Sequence, residues 1–472
     1  MANFVFYDLE TSDSALNFSQ ILEASFIICN DNLEELKRAT FFSRINKTHI
    51  PHPGALITNG ISIKRLKETN LSEHEMVKQI FKFLNNSGKL ISMGWNSSNF
   101  DRNVCRATFW RNLEKPYIMN TNGNSEADLL HIARASHLYY PGSIKTGLTQ
   151  KNNPEFKLTS ISKANNIEHE NKHSAESDCL ATMLTARLIK KKAPALWNSS
   201  FLTTSKTDVL SLLERELMCI STENYSGGPK AHLVTYITSH PVYSYPLCLD
   251  LRYDVDFYLN ISIEQLKNEL KKRPKPIRTI KHSAHPILMN PDFIKNIEPY
   301  NEIGMSTLMA RAKKIKKNKN LAEKISIIKK EEVEEKRQSN QLDKYVEETI
   351  YNGGFPNAKD NINIEKFRQT ESWNEKLKLK DIFEDQRYSY LANRLIFENN
   401  PEILSESDYK KIHRHFAENF FATEKKPFTT IPSAFKAVDD LRNEHSENTS
   451  KMSQLDEINS YILELQKFYE AA

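Results

Sequence analysis

Asp8 and Glu10 close an apolar run, Phe4-Val5-Phe6-Tyr7-Asp8-Leu9-Glu10-Thr11. In an extended strand, residues two apart share a face. Both carboxylates therefore aim at one point, while Tyr7 and Leu9 face a core on the other side. Anions held that close repel unless a cation lies between them, and an all-oxygen donor set suits a hard ion such as Mg²⁺ or Mn²⁺ rather than zinc. A D-x-E pair alone is common by chance, so its meaning depends on other groups. Asn99-Phe100-Asp101 enters a helix expected to run to about Leu113. There an acid in the first turn more often does no more than satisfy the helix dipole. The third stretch, Phe156 to Thr182, holds His173 and Asp178. A helix beginning near Ser174 carries Asp178 in its first turns and Leu180, Leu184 and Leu188 on one stripe, with Ala181 and Thr185 small enough to leave space for a ligand. On one continuous helix, His173 and Asp178 would diverge by about 140°, so His173 must lie in a loop that swings it towards the acids. His169 reads as a solvated bystander. The conjunction describes a carboxylate-lined cation site with a histidine at its edge.

The elements that must position these residues are also legible. Ile21–Cys29 and Ala39–Ile45 read as strands of an antiparallel meander, turning at Asn30-Asp31-Asn32. Pro51-His52-Pro53-Gly54 breaks regular structure. Ser72-x-x-Glu75 is a capping box, with Met76, Val77, Ile80, Phe81 and Leu84 on the apolar face that follows. Leu90–Met93 is a short buried strand, ended by Gly94-Trp95-Asn96. Leu158, Ile161 and Ala164 face a core from a short helix that Asn165-Asn166 ends.

Composition removes several classes of function. At 472 residues the chain suggests about three domains. Hydrophobic residues at 39% and charged ones at 26% describe a globular protein. The net charge of +5 is the small difference between 65 basic and 60 acidic residues, so the distribution of charge matters more than its total. With 12 glycines and neither G-x-x-x-x-G-K-[ST] nor G-x-G-x-x-G, a nucleotide-driven motor and a dinucleotide enzyme are disfavoured. Cys29, Cys105, Cys179, Cys219 and Cys248 are scattered and never spaced C-x-x-C, which suggests neither disulfides nor zinc. An acid at position 8 argues against a signal peptide, and no apolar run reaches the ~18–20 residues of a membrane span. The expectation is a cytoplasmic, reduced protein with no membrane contact.

These motifs together resemble the DEDDh exonucleases of the ribonuclease H-like fold, and within them the bacterial exonuclease I family. The likeness rests on D-x-E, N-F-D and H-x-x-x-x-D, and on P-G-A-L-I-T-N-G-I-S at 53–62, F-W-R-N-L at 109–113 and K-A-N-N-I-E-H at 163–169. It extends more weakly through Y-N-G-G-F at 351–355 and D-Q-R-Y-S-Y-L-A-N-R at 385–394. It implies an α/β ribonuclease H-like exonuclease domain at 1–197, an SH3-like β-barrel domain with a basic helical segment at 198–340, and an all-α carboxyl-terminal domain at 341–472. It also implies a monomeric, single-strand-specific 3′→5′ exodeoxyribonuclease that releases 5′-mononucleotides with two Mg²⁺ ions, for which Mn²⁺ can substitute, in DNA repair or recombination. Asp8, Glu10, Asp178 and Asp101 would hold metal, His173 would be the general base, Glu10 would touch the terminal 3′ hydroxyl, and Lys157 would grip the scissile phosphate. Two departures stand out: Lys172-His173-Ser174 replaces a small residue, His and Asp, and Lys157 stands where the family has arginine, losing the bidentate fork.

The remainder of the chain would hold the strand. Lys230–Ser239 and Tyr245–Leu251 alternate like paired strands. Ile277–Pro286 ends in a loop whose Lys281, His282 and His285 are candidate DNA contacts; Arg106 and Tyr117 are candidates nearer the acids. The lysine-rich stretch 310–330 is either a solvated helix face, as the acids at 331–335 favour, or a phosphate track. From about 345 the chain is helical, with His415, Phe416, Phe420, Phe421, Tyr461, Leu463, Leu465 and Phe468 expected in its core. The family closes a C-shaped groove here and receives the acidic tail of the single-stranded DNA-binding protein. The rival readings are an RNA-trimming or proofreading exonuclease and a non-catalytic nucleic-acid scaffold.

Overall fold

The computed structural model describes residues 2–169, 174–225, 227–339 and 345–472. Its amino-terminal part is built on a five-stranded sheet: β1 (Asn3–Thr11), β2 (Ile21–Cys29), β3 (Glu35–Phe42), β4 (Leu90–Gly94) and β5 (Ser125–Asp128), in the order β3-β2-β1-β4-β5. β1, β2 and β3 form the expected antiparallel meander, while β4 and β5 run parallel to β1. The third strand lies earlier than its apolar residues suggested, at 35–42 rather than 39–45. β1 is buried on both faces. Phe4 and Phe6 point into one core and Val5, Tyr7 and Leu9 into another. Helix Glu73–Asn85 opens with the full Ser72/Glu75 capping box, and buries Met76, Val77, Ile80, Phe81 and Leu84 under the second of these cores.

After a two-stranded hairpin of β6 (Gly147–Leu148) and β7 (Pro154–Glu155), a second five-stranded sheet comprises β8 (Cys219–Tyr225), β9 (Gly228–Ser239), β10 (Pro246–Asp250), β11 (Ile277–Thr279) and β12 (Leu288–Met289), in the order β11-β10-β9-β8-β12. Leu233, Leu247 and Leu249 of this SH3-like sheet share one core with Phe4 and Phe6 of β1. The lysine-rich stretch forms helices Met305–Lys317 and Lys319–Ser339. Several of its lysines are turned to internal use: Lys316 donates to the carbonyls of Leu213 and Glu214 at 2.8 and 3.0 Å, Lys324 donates to Ile261 O at 2.8 Å, and Lys314 pairs with Asp256 at 2.6 Å. These three side chains help complete the fold, while Lys313, Lys317, Lys319 and Lys330 of the same stretch are exposed.

The carboxyl-terminal part is helical, ending in Glu406–Phe420, Ile431–Glu444 and Thr449–Glu470. It packs Phe416, Phe420, Tyr461 and Leu465 against Leu22, Ile50 and Leu56 of the first part. His415 and Leu463, expected in that core, are exposed; the buried histidine is His413, which lies on the inward stripe of the same helix. Arg394 ties this region together, donating to Glu347 at 2.6 Å and Glu398 at 2.8 Å, while Thr48 donates to the same Glu398 carboxylate.

Lys376 is fully buried, with Nζ donating to Phe367 O at 2.6 Å and standing 4.4 Å from the Phe367 ring centroid. Burial, with Lys78 nearby, lowers its pKa from 10.5 to about 7. Between those values the unfolded chain binds more protons than the folded one, so this group makes stability rise with pH. Urea midpoints measured from pH 7 to 9 should therefore climb more steeply for the wild type than for Lys376→Met. Parallel curves would remove this linkage.

Candidate functional site

The site lies where β1 outruns its parallel neighbour. β1 pairs with β4 only as far as Phe6 opposite Met93, so the strand beyond it is free of β4 at the edge where β4 and β5 end. Gly94 makes the turn there possible: an added Cβ would lie 2.7 Å from Ser97 Cβ and 3.0 Å from Tyr7 O. The chain then passes through Asn96 to helix Asp101–Arg111, whose first residue is the predicted acid. Asp128, at the end of β5 and fully buried, secures this turn. It accepts from Asn96 N and Ser98 N, each at 3.0 Å.

Asp8 and Glu10 project from the face of β1 that Phe4 and Phe6 begin, as the alternation requires. A register shift between Glu10 and Thr11 marks a bulge immediately after the second acid, the kind of irregularity that re-aims a side chain. Helix Ala175–Lys192 packs on this part of the sheet and contributes Asp178. Its buried side carries Cys179, Thr182, Met183, Ala186 and Ile189. The expected leucine stripe, Leu180, Leu184 and Leu188, is only half-buried, and Ala181 and Thr185 are fully buried in the packing instead of flanking a ligand space.

One ligand oxygen each from Asp8, Glu10 and Asp178 lies within 4.8 Å of the others. A cation with metal–oxygen distances near 2.0–2.6 Å spans such a set. The electrostatics agree. Burial pushes the Glu10 carboxyl up to about 8, with Asp178, Glu23 and Asp101 adding repulsion. Burial raises Asp8 well above the carboxylate range, reinforced by Asp101, Asp178 and Glu10. Asp101 rises to about 7, mainly through burial, against the lowering influence of its own backbone N–H and that of Leu9. Such a group of acids is a poor place for protons to be absent unless a divalent charge replaces them, and its hard oxygen donors fit a divalent cation.

His173 lies outside the described residues. His169, read above as a bystander, contacts Asp178 directly, its Nε2 against Oδ1, with its side chain buried. Lys157 is the N-cap residue of helix Leu158–Ala164. Its side chain is 74% exposed and reaches Glu155 at 3.2 Å. The Trp95 indole donates to Phe156 O at 3.2 Å, holding Lys157 beside the end of β4.

The other predicted contacts fare differently. Arg106 is committed to Glu126 at 2.5 Å and lies 5.3 Å over the Tyr117 ring. Tyr117 in turn meets Phe355, which is 83% exposed, and lines a cavity of about 410 Å³ with Trp110 and Tyr388. Of the three candidates in the 281–285 loop, Lys281 alone is exposed. His282 is buried against Tyr245, their ring centroids 5.1 Å apart. His285 is buried between parts of the protein: Nδ1 accepts from Asp128 N at 3.0 Å and Nε2 donates to Ser200 O at 2.7 Å. With both ring nitrogens engaged, and burial lowering its pKa to about 4, His285 is a neutral structural pin and not a DNA contact. Two acids escaped the sequence reading. Glu23 lies opposite Glu10 in the β1–β2 register and is buried, and its signal was an acid in the otherwise apolar I-L-E-A-S-F-I-I-C. Asp128 also serves as an ordinary N-cap, accepting from Leu130 N at 3.1 Å.

Comparison with known proteins agrees with this architecture. The family model described as Exonuclease matches residues 5–185, and that described as Exonuclease I C-terminal domain matches residues 344–465. Exodeoxyribonuclease I of Haemophilus influenzae is 28% identical over 491 residues, covering 98% of each chain. The Buchnera aphidicola (Baizongia pistaciae) protein of the same name is 33% identical over 54% of this chain and 55% of its own. Among solved structures, Escherichia coli exonuclease I in complex with a dA16 oligonucleotide superposes with a TM-score of 0.82 at 21% identity, covering 98% of this chain and 100% of the other. Exonuclease I from Methylocaldum szegediense gives 0.83 at 20%, covering 99% and 100%. The chain thus carries an Exonuclease domain followed by an Exonuclease I C-terminal domain, and is similar in sequence and fold to exonuclease I along its whole length.

Proposed function

We propose that this protein is a Mg²⁺-dependent exonuclease that degrades single-stranded DNA from the 3′ end and releases 5′-mononucleotides. The observation that carries the reading is the convergence of Asp8, Glu10 and Asp178 within 4.8 Å, with Asp101 close enough to perturb Asp8, at the open edge of an exonuclease I fold. Asp8, Glu10 and Asp178 would hold the cation and Asp101 would support a second. Bound as a pair, such ions would supply a more acidic water and relief of charge in the pentacoordinate transition state. His173 takes the proton from the attacking water, a role suited to an imidazole titrating near neutrality. Water adds to phosphorus, the P–O3′ bond breaks, and the departing strand keeps its new 3′ hydroxyl. Glu10 meets the terminal 3′ hydroxyl and Lys157 steadies the scissile phosphate as a point charge. An oligonucleotide occupies the similar E. coli enzyme, and exonuclease I has also been solved in an assembly with SSB. The same two partners, a monomeric state and a place in DNA repair complete the proposal.

Mononucleotide release from 5′-labelled single-stranded DNA, blunt duplex DNA and single-stranded RNA, with Asp178→Ala as control, tests the reading. Shortening of the DNA strand alone is expected. Equal loss of RNA would replace the substrate, and silence on all three with binding intact would favour a scaffold. His173→Ala should lower turnover by about 10²–10⁴-fold. Because His169 touches Asp178, His169→Ala is the necessary comparison, and a loss of the same size there would take the base role from His173 alone. Finally, Glu10 has a folded-state pKa near 8 against an ordinary 4.5, so the folded protein binds the extra proton and loses stability as pH rises between those values. In chelator the melting temperature should fall from pH 5 to pH 8, and millimolar Mg²⁺ should flatten that slope. An unchanged slope would mean that no cation binds at Glu10.

A further inference from the structure

Glu23 is buried at 4% exposure, directly across the strand ladder from Glu10. Like charges opposite one another weaken a sheet, so a carboxylate kept there needs a use. It is not one of the three acids whose ligand oxygens converge. Its carboxylate instead meets the start of helix Ala175–Lys192: Ser174 Oγ donates to Glu23 Oε1 at 3.3 Å, and while burial raises its pKa, the Arg65 guanidinium, the Glu176 backbone N–H and Ser174 oppose that rise. Ser174 is the N-cap residue of that helix, yet its hydroxyl accepts no hydrogen bond from the helix. The free N–H groups of a first turn require an acceptor, and an anion at that end is favoured by the helix dipole.

We infer that Glu23 is a positioning residue that caps the Asp178 helix from the neighbouring strand and so sets Asp178 against Asp8 and Glu10. Strand β2 supplies the cap, β1 supplies two of the acids, and the capped helix supplies the third two residues beyond Glu176. The distance between Asp178 and Glu10 is thereby referred to the β1–β2 ladder, a rigid standard. The inference rests on the metal-site reading above and adds to it a residue that acts through Asp178 without contacting cation or substrate.

The experiment compares Glu23→Gln, Glu23→Asp and Glu23→Ala in the full chain by Mn²⁺ affinity in calorimetry, by amide hydrogen exchange over residues 174–180, and by the kcat and KM for oligonucleotide hydrolysis. Gln keeps an acceptor oxygen at the same reach, so Mn²⁺ affinity, exchange protection and kcat should stay within about twofold of wild type. Asp keeps the charge but falls one methylene short. Asp and Ala should both weaken Mn²⁺ binding and lower kcat by about five- to tenfold, the scale of a lost helix cap, with faster exchange at Glu176 and an unchanged KM. Should Glu23→Ala fail to fold, the Gln and Asp pair decides by itself. Full function in Asp with loss in Gln would make Glu23 a charge at the metal site and overturn the inference, as would wild-type behaviour in both. If wild-type protein binds no Mn²⁺, the metal-site reading fails, whereas loss of helix protection in Asp alone would still identify the cap.

Discussion

Repulsion among carboxylates is the constraint on which the rest of this structure depends. Asp8, Glu10 and Asp178 converge, Asp101 and Glu23 stand close by, and burial makes the charges on Asp8, Glu10, Asp101 and Glu23 more costly than they would be in water. No local preference of the chain would gather them. They are held by rigid elements: a strand buried on both faces, a bulge just past Glu10, a helix packed tightly through Ala181 and Thr185, and a tight glycine turn against Tyr7 O that leads into the Asp101 helix. Protons relieve part of this repulsion, as the raised pKa values of Glu10 and Asp101 show, and a hard divalent cation would relieve it in their place.

The two later parts of the chain also brace that edge. From the SH3-like side, His285 accepts from the Asp128 backbone while the Asp128 carboxylate holds the turn before Asp101. Arg102, next to Asp101, donates to Ser283 O at 2.6 Å. From the helical side, Thr429 donates to Asp13 at 2.6 Å, three residues beyond Glu10. Cores shared across these boundaries, one holding both Phe6 and Leu233 and another both Leu56 and Tyr461, give the braces a stiff backing. A histidine in a basic loop is thus occupied by structure, and so are Lys314, Lys316 and Lys324 of the 310–330 run.

Much of the site was legible because its signals are local. Alternation along residues 4–11 places Asp8 and Glu10 on one face whatever else the chain does, since the pleat has a period of two. The Ser72 capping box and the short helix ended by Asn165-Asn166 are formed by neighbours within a few residues, and both stand as read. The motifs at 53–62 and 385–394 pointed to the family because they extend over most of the chain. The strand at 35–42 was misplaced because its outer residues are charged and its pairing with β2, not its apolar content, sets its limits.

What the sequence determined by itself was therefore the chemistry on offer: which acids, on which strand face or helix start, and the hard-cation hydrolysis they suit. The tertiary structure alone decided which groups are engaged with one another. It turned His285 inward, brought His169 against Asp178, buried His413 in place of His415, committed Arg106 to Glu126, and set Glu23 opposite Glu10 at the start of the Asp178 helix. Each of these contacts joins residues from different elements. A side chain's exposure and partners depend on packing between such elements, and no pattern confined to a few neighbouring residues encodes that.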